Sequence, residues 1–166
     1  MKIGIDIGGS HIAVGLVDND KIIDIRERDF LQEERDRICE VIENTMIEYI
    51  SEILTKNRIS IKEIERIGLA VPGKNKDGVM VRAENLGIAN FDITGVLKKH
   101  FNIENISLNN DAKCAAICEK IYGSLKSYDD AVFMCLGTGI GGAVFLDGNL
   151  LMPKRNPGFE LRTCNN

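Results

Sequence analysis

Apolar residues alternate with polar or small ones on both sides of a glycine pair near the amino terminus, and few folds accommodate that pattern. Ile3, Ile5 and Ile7 share one face of an extended segment, and Ile12, Val14 and Leu16 share one face of the next. Gly8-Gly9-Ser10 stands between them. A period of two marks half-buried strands, and the glycine pair marks a tight hairpin. Asp18-Asn19-Asp20 then turns the chain toward a third strand, Lys21 to Arg28. The pattern returns late in the sequence. Ala131 to Leu136 and Gly142 to Leu146 read as strands around a glycine-rich turn, and Asp147-Gly148 leads into a strand over 149–152. The echo implies a second lobe that begins as the first one began.

Between the two hairpins the period changes. Ile38, Val41, Ile42, Thr45, Met46, Tyr49, Ile50 and Ile53 recur at helical spacing, which predicts one long helix over 32–56 with a single apolar stripe. Glu34, Arg37, Glu40, Glu43 and Glu48 read as its solvated face. Arg66 to Val71 is short and apolar enough for a strand buried on both faces, and Pro72-Gly73 ends it. Gly78, Gly87 and Asn90 mark a loop-rich stretch. A short helix over 94–101, a strand over 105–108 and a helix over 110–122 follow, the last rich in Ala112, Ala115, Ala116 and Cys118. Three meandering strands followed by strand–helix alternation predict an α/β fold, a mixed sheet flanked by helices. The expected organisation is one lobe over 1–122 and the start of a second over 123–166.

Several classes of function are disfavoured by composition. The 166 residues carry a net charge of −4 and no basic stripe of the kind a phosphate backbone requires, so nucleic acid is not an expected partner. No apolar run approaches the roughly 20 residues of a membrane span. Asp6 and the glycine pair interrupt the first apolar stretch, which argues against a signal peptide. Five cysteines at irregular spacing, four of them in apolar or helical contexts, fit a reduced cytoplasmic protein whose thiols act as small hydrophobes. Cys114 and Cys118 lack further ligands at zinc spacing and are expected to pack in a core.

Three short motifs can carry chemistry. In Asp6-Ile7-Gly8-Gly9-Ser10, two glycines let backbone N–H groups approach a phosphate, while the carboxylate can hold a hydrated Mg²⁺. The same pair can equally serve as a hairpin turn alone. In Leu136 to Gly142, Gly137, Gly139 and Gly142 satisfy a dinucleotide-binding spacing, but a strand follows where that motif requires a helix. A strand–turn–strand carrying Thr138 is instead a second phosphate hairpin. In Asn109-Asn110-Asp111, between a strand and a helix, Asn110 or Asp111 can cap the helix. Asp111 is also placed to accept a proton from a hydroxyl nucleophile, and Asn110 to hydrogen-bond a polyol. His11 reads as a surface histidine, because nothing near it in sequence would tune it.

Taken in order, these motifs resemble the ROK family of sugar kinases, within the actin-like, ribonuclease H-like superfamily. The match runs from the first glycine hairpin through Gly68-Leu69-Ala70-Val71-Pro72-Gly73 and the Asn-Asp-Ala helix to the second hairpin and Pro157-Gly158-Phe159-Glu160. The resemblance implies an ATP- and Mg²⁺-dependent kinase acting on the 6-hydroxyl of a hexose or N-acetylhexosamine. It implies Asp111 as catalytic base; Asp6, Gly8, Gly9 and Ser10 facing phosphates and metal; and Gly137, Thr138 and Gly139 as the opposite clamp. Gly73, Asn110, Asp111 and Glu160 would meet sugar hydroxyls, with Glu84 or Asn85 as additions.

The match ends after Leu161. Family members continue with Gly-His, and many add a cysteine-rich zinc motif. Here Thr163 stands where the histidine would be, so the zinc site is expected to be absent. The tail reads as a shifted frame, a disrupted gene or a truncation, with weak or no activity and a homodimer through exposed strand faces (Val132, Met134, Val144, Leu146) expected of this chain. A non-catalytic remnant or binding module is the alternative. Family repressors, which carry a helix-turn-helix ahead of the first motif, are disfavoured because that motif begins here at residue 4.

Overall fold

The computed structural model describes residues 1–136, 140–151 and 160–161. Strands β1 (Lys2–Ile7), β2 (His11–Asp18) and β3 (Lys21–Asp29) form the antiparallel meander that the alternation predicts. Register sets Ile3 opposite Leu16, Ile5 opposite Val14 and Ile7 opposite Ile12, all on one face and all at most 2% exposed. Helix α1 (Ile38–Asn57) covers part of the core, with Ile42, Met46, Ile50 and Ile53 fully buried. Each such side chain contributes roughly 1.5–3 kcal/mol relative to exposure.

The predicted long helix is two elements. Gln32–Arg37 is a 3-10 turn, and the α-helix starts only at Ile38. Glu34 is the reason. Its carboxylate accepts the Leu31 N–H at 2.8 Å and pairs with the Arg28 guanidinium, so it turns inward and is no part of a solvated face. Arg28 and the Leu31 N–H together hold the Glu34 carboxyl below its ordinary pKa. At the other end Arg58 adopts φ 57° and closes the last turn on the carbonyls of Leu54 and Thr55. Buried Asp24 ties β3 to that turn, accepting from Lys56 Nζ (3.0 Å), Asn57 Nδ2 (2.9 Å) and Arg26 Nη1 (3.0 Å).

Strand β4 (Arg66–Val71) pairs in parallel with β1. It is buried on one face only: Ile67, Leu69 and Val71 point inward while Arg66 is exposed, so the expectation of two buried faces does not hold. The stretch read as loop-rich contains a small antiparallel sheet, β5 (Lys74–Lys76), β6 (Val79–Ala83) and β7 (Ile88–Phe91), joined by turns at Gly78 and Gly87. Met80, Ala83 and Ile88 are buried beneath it. Helix α2 (Ile93–Phe101) is capped by Asp92, which accepts the Gly95 N–H at 2.9 Å. Strand β8 (Ile106–Asn110) completes a five-stranded mixed sheet of order β3-β2-β1-β4-β8.

Contacts divide the chain into two compact units, Met1–Asn109 and Asn110–Asn166. The second contains α3 (Asp111–Ile121), β9 (Ala131–Leu136), β10 (Ile140–Leu146), β11 (Asn149–Leu150) and β12 (Glu160–Leu161). Strand β10 pairs with β9 along one edge, while β11 and β12 share the other. Ala116 of α3 packs with Ala143 and Phe145 of β10. The sequence reading grouped α3 with the preceding lobe, up to residue 122; by contacts it groups with the hairpin that follows. Strand β10 begins two residues before the expected Gly142, and β12 was not foreseen.

Candidate functional site

The first hairpin is tighter than the phosphate reading assumed. Gly8 donates its N–H to the His11 carbonyl at 2.9 Å, so that group closes the hairpin and does not serve a ligand. Gly8 is a glycine for space: a Cβ there would stand 2.5 Å from His11 Cε1 and 2.7 Å from Nδ1. The imidazole lies over Gly8, and its Nε2 stands 3.7 Å from Asp6 Oδ2. His11 stays at the surface of the hairpin, its side chain 43% exposed, with a carboxylate nearby. The group beside it is five positions away in sequence but diagonal to it across the β1–β2 pair. Asp6 is 57% exposed, and among the described residues no three His, Cys, Asp or Glu side chains gather as a metal cluster. That donor set suits Mg²⁺, which keeps most of its waters and takes one or two carboxylates plus phosphate oxygens.

The sugar candidates of the first unit lie near one another. Gly73, with φ 73°, follows β4, and a Cβ on it would stand 2.2 Å from the Arg82 carbonyl oxygen. Lys74 pairs with Arg82 in register, so the Pro-Gly turn abuts the end of β6, just before Glu84 and Asn85. Glu84 Oε1 accepts from Arg82 Nη2 at 2.9 Å, and the Asn85 carbonyl accepts from Arg35 Nη1 at 3.2 Å. The last bond fixes the Asn85 backbone against the turn before α1.

The second unit assembles the other candidates. Asn110 caps α3, its Oδ1 accepting the Lys113 N–H at 3.2 Å, and Asp111 is the first helical residue, its Oδ1 accepting the Ala112 N–H at 2.8 Å. Capping and polyol binding are compatible for Asn110, because an amide carries donors beside its acceptor. The first turn of α3 rests on β10: a Cβ on Gly141 would stand 2.7 Å from the Ala112 Cβ. Gly141 pairs in register with Glu160 of β12. The head of α3, the strand leaving the second glycine turn and the backbone of Glu160 thus meet in one corner. Gly137, Thr138 and Gly139, and the tail around Thr163, lie outside the described residues.

Cysteine placement departs from the sequence reading in one respect. Cys118 is exposed, while Cys39, Cys114 and Cys135 are partly buried. Helix α3 turns Ala112 and Ala116 inward, which leaves Cys118 on the outer side.

The order of these elements agrees with one family throughout. The ROK family model matches residues 2–155. The chain belongs to the ROK family. A glucokinase of Thermotoga maritima is 32% identical over 164 residues, covering 96% of this chain and 49% of that protein. A xylose repressor of Bacillus spizizenii is 26% identical over 150 residues, 90% of this chain and 38% of that one. The crystal structure of the ROK hexokinase from Thermus thermophilus superposes with a TM-score of 0.73 at 28% identity, covering 96% of this chain and 51% of that one. The fold is thus the actin-like fold of ROK sugar kinases. The chain spans about half the length of the glucokinase and of the hexokinase. No helix among its described residues is long and apolar enough to cross a membrane.

Proposed function

We propose that the protein is an ATP-dependent sugar kinase acting on the 6-hydroxyl of a hexose or N-acetylhexosamine, with Asp111 as its catalytic base. The observation that carries this reading is the corner of the second unit, where α3 presents Asp111 beside β10 and the backbone of Glu160. Carboxylates and amides suit a polyol, since each can make paired hydrogen bonds to vicinal hydroxyls. Phosphoryl transfer is loose, so the base is asked mainly to orient the hydroxyl and to accept its proton late. The Ala112 N–H bonded to Asp111 Oδ1 restrains the carboxylate for that task. Asp6 and Ser10 would hold a hydrated Mg²⁺ on the phosphates, where the ion neutralises charge on the transferring group. Gly9, together with Gly137, Thr138 and Gly139, would contact phosphate oxygens. ATP as donor makes the cytoplasm the site of the reaction.

Transfer requires water to be excluded around the phosphoryl group. The second reading, a sugar- or phosphate-binding module without catalysis, is favoured by the match to a protein named as a xylose repressor. Calorimetry with glucose and N-acetylglucosamine, paired with a coupled ADP-release assay, separates the two. Under the kinase reading either sugar binds, and Asp111→Ala lowers ADP release by about 10²–10⁴-fold, the usual share of a general base. Sugar binding with no release, unaltered by Asp111→Ala, selects the binding module. Turnover unchanged in Asp111→Ala rejects the base assignment.

A further inference from the structure

Strand β3 is the outer strand of the five-stranded sheet, and its free edge is bonded by its own side chains. The Phe30 N–H donates to the Ser10 carbonyl at 2.7 Å, which sets the alternation along the β2–β3 ladder. Asp24, Arg26 and Arg28 fall in phase with Phe30 and turn their backbone groups toward β2; Ile25, Glu27 and Asp29 turn theirs outward. At Ile25 and Asp29 those outward groups meet side chains instead of a strand. The Ile25 N–H donates to Asp24 Oδ1 at 3.0 Å, and Arg26 Nη1 donates both to the Ile25 carbonyl and to Asp24 Oδ1, each at 3.0 Å. Arg28 Nε donates to the Asp29 carbonyl at 3.1 Å. Helix α1 anchors the pair from below: Lys56 and Asn57 hold Asp24, and Glu52 Oε2 accepts from Arg26 Nε at 3.4 Å.

An edge of this composition is a hazard when open. Ile22, Ile23 and Ile25 are exposed, and outward N–H and C=O groups beside exposed β-branched side chains are a template for another strand. The strand that matches β3 in charge is β3 itself. Two copies run antiparallel about Ile25 set Lys21 opposite Asp29 and Asp24 opposite Arg26, and no like charges face each other. We propose that Asp24 and Arg26 form a clasp over the Ile25 peptide that keeps the β3 edge from pairing with β3 of a second copy. The clasp spends within one chain the Asp–Arg attraction that would otherwise run between two. Only the planar fork of an arginine reaches the carboxylate and the carbonyl together.

Amide exchange on the 166-residue chain, followed by NMR at rising concentration, reads this edge alone, whatever other surfaces associate. In the parent the Glu27 and Asp29 amides do not respond to concentration. In Arg26→Met, which removes the donors and keeps an unbranched stem, they slow about threefold for each tenfold rise, the square-root dependence of a monomer–dimer equilibrium. Lys56→Met is the control for lost stability: it loosens Asp24 from α1, leaves Arg26 on the edge, and keeps exchange independent of concentration. Adding Glu27→Pro to Arg26→Met takes away an outward N–H that a new strand needs and β2 does not, and returns Asp29 to the parent's behaviour. Concentration-independent exchange in Arg26→Met overturns the proposal. So does equal slowing in Lys56→Met, which traces the effect to general loosening, or slowing that survives Glu27→Pro, which places the contact elsewhere. Slowing in the parent overturns it as well, because the edge would already be open. If Arg26→Met does not fold, Arg26→Lys takes its place, since an ammonium keeps the charge beside Asp24 without the fork. Failure of both to fold makes Arg26 a residue of the core structure instead of a guard and overturns the proposal too.

Discussion

A Cβ on Gly73 would stand 2.2 Å from a backbone oxygen, and its φ of 73° is one that side chains rarely adopt. Both penalties fall on Gly73→Ala, since neither the Arg82 carbonyl nor the turn can yield without disturbing β6. We expect that variant to lose about 1–3 kcal/mol of stability and to bind sugar more weakly, because Glu84 and Asn85 follow directly. Urea unfolding within about 0.5 kcal/mol of the parent would show that the turn tolerates a side chain. Pro72-Gly73 as a strand stop was legible from the sequence alone. The partnership of His11 with Asp6 was not: linear neighbours gave no hint, whereas a cross-strand diagonal did. The signal was available in the predicted hairpin register. Cys118 was misplaced for a related reason, in that the buried side of a short helix rich in small residues cannot be chosen before its packing partner is known.

Elements that pair two distant segments carry the next two predictions. Helix α3 meets β10 at Ala112 and Gly141, where a Cβ added to the glycine would stand 2.7 Å from the Ala112 Cβ. Gly141→Ala is therefore expected to push the first turn of α3 off the strand at a cost of about 1–3 kcal/mol, carrying Asp111 with it. Adding Ala112→Gly removes the obstructing methyl and should restore sugar binding; failure of the double variant to recover would place the damage elsewhere.

Asp24 ties β3 to the end of α1. Lys56 and Asn57 together lower its pKa from 3.8 to about 2, despite its burial. A folded value below the unfolded one stabilises the fold above the unfolded pKa, and the benefit drains away as pH falls from 3.8 toward about 2. Urea midpoints should thus drop more steeply across that window in the parent than in Asp24→Asn, and equal slopes would exclude the tether. The strands of the amino-terminal meander were legible because period two survives even where the chain bulges, at Leu16 and Val17. Three features were not: the small β5–β7 sheet, whose strands are short and set between glycine turns; the 3-10 entry to α1, which a single inward Glu34 imposes; and β12, two residues long. Strands β9 and β10, on either side of the second glycine motif, were read as strands because no helix period follows that motif.

At the scale of the whole molecule the unresolved question is what meets the outer face of the β9–β10 hairpin. Alternation places Val132, Met134 and Leu136 on the side away from Ala143 and Phe145, and they are 65%, 55% and 77% exposed. Register adds Ile140, Val144 and Leu146 from β10 to the same side. Six apolar side chains without a charge among them form a face that water solvates poorly, and soluble monomers rarely leave such a patch open. A second copy presents the identical uncharged face, and a two-fold axis through it makes the contact self-complementary. We therefore expect the 18.4 kDa chain to run in size-exclusion chromatography with light scattering at twice that mass or more as concentration rises. Val132→Lys combined with Met134→Lys places two charges in the middle of the contact and should return the monomer, because burying an unpaired ammonium costs more than the remaining apolar contacts offer. The parent running as a clean monomer at the highest concentration would refute the dimer, and association persisting in the double lysine variant would move the contact to another surface.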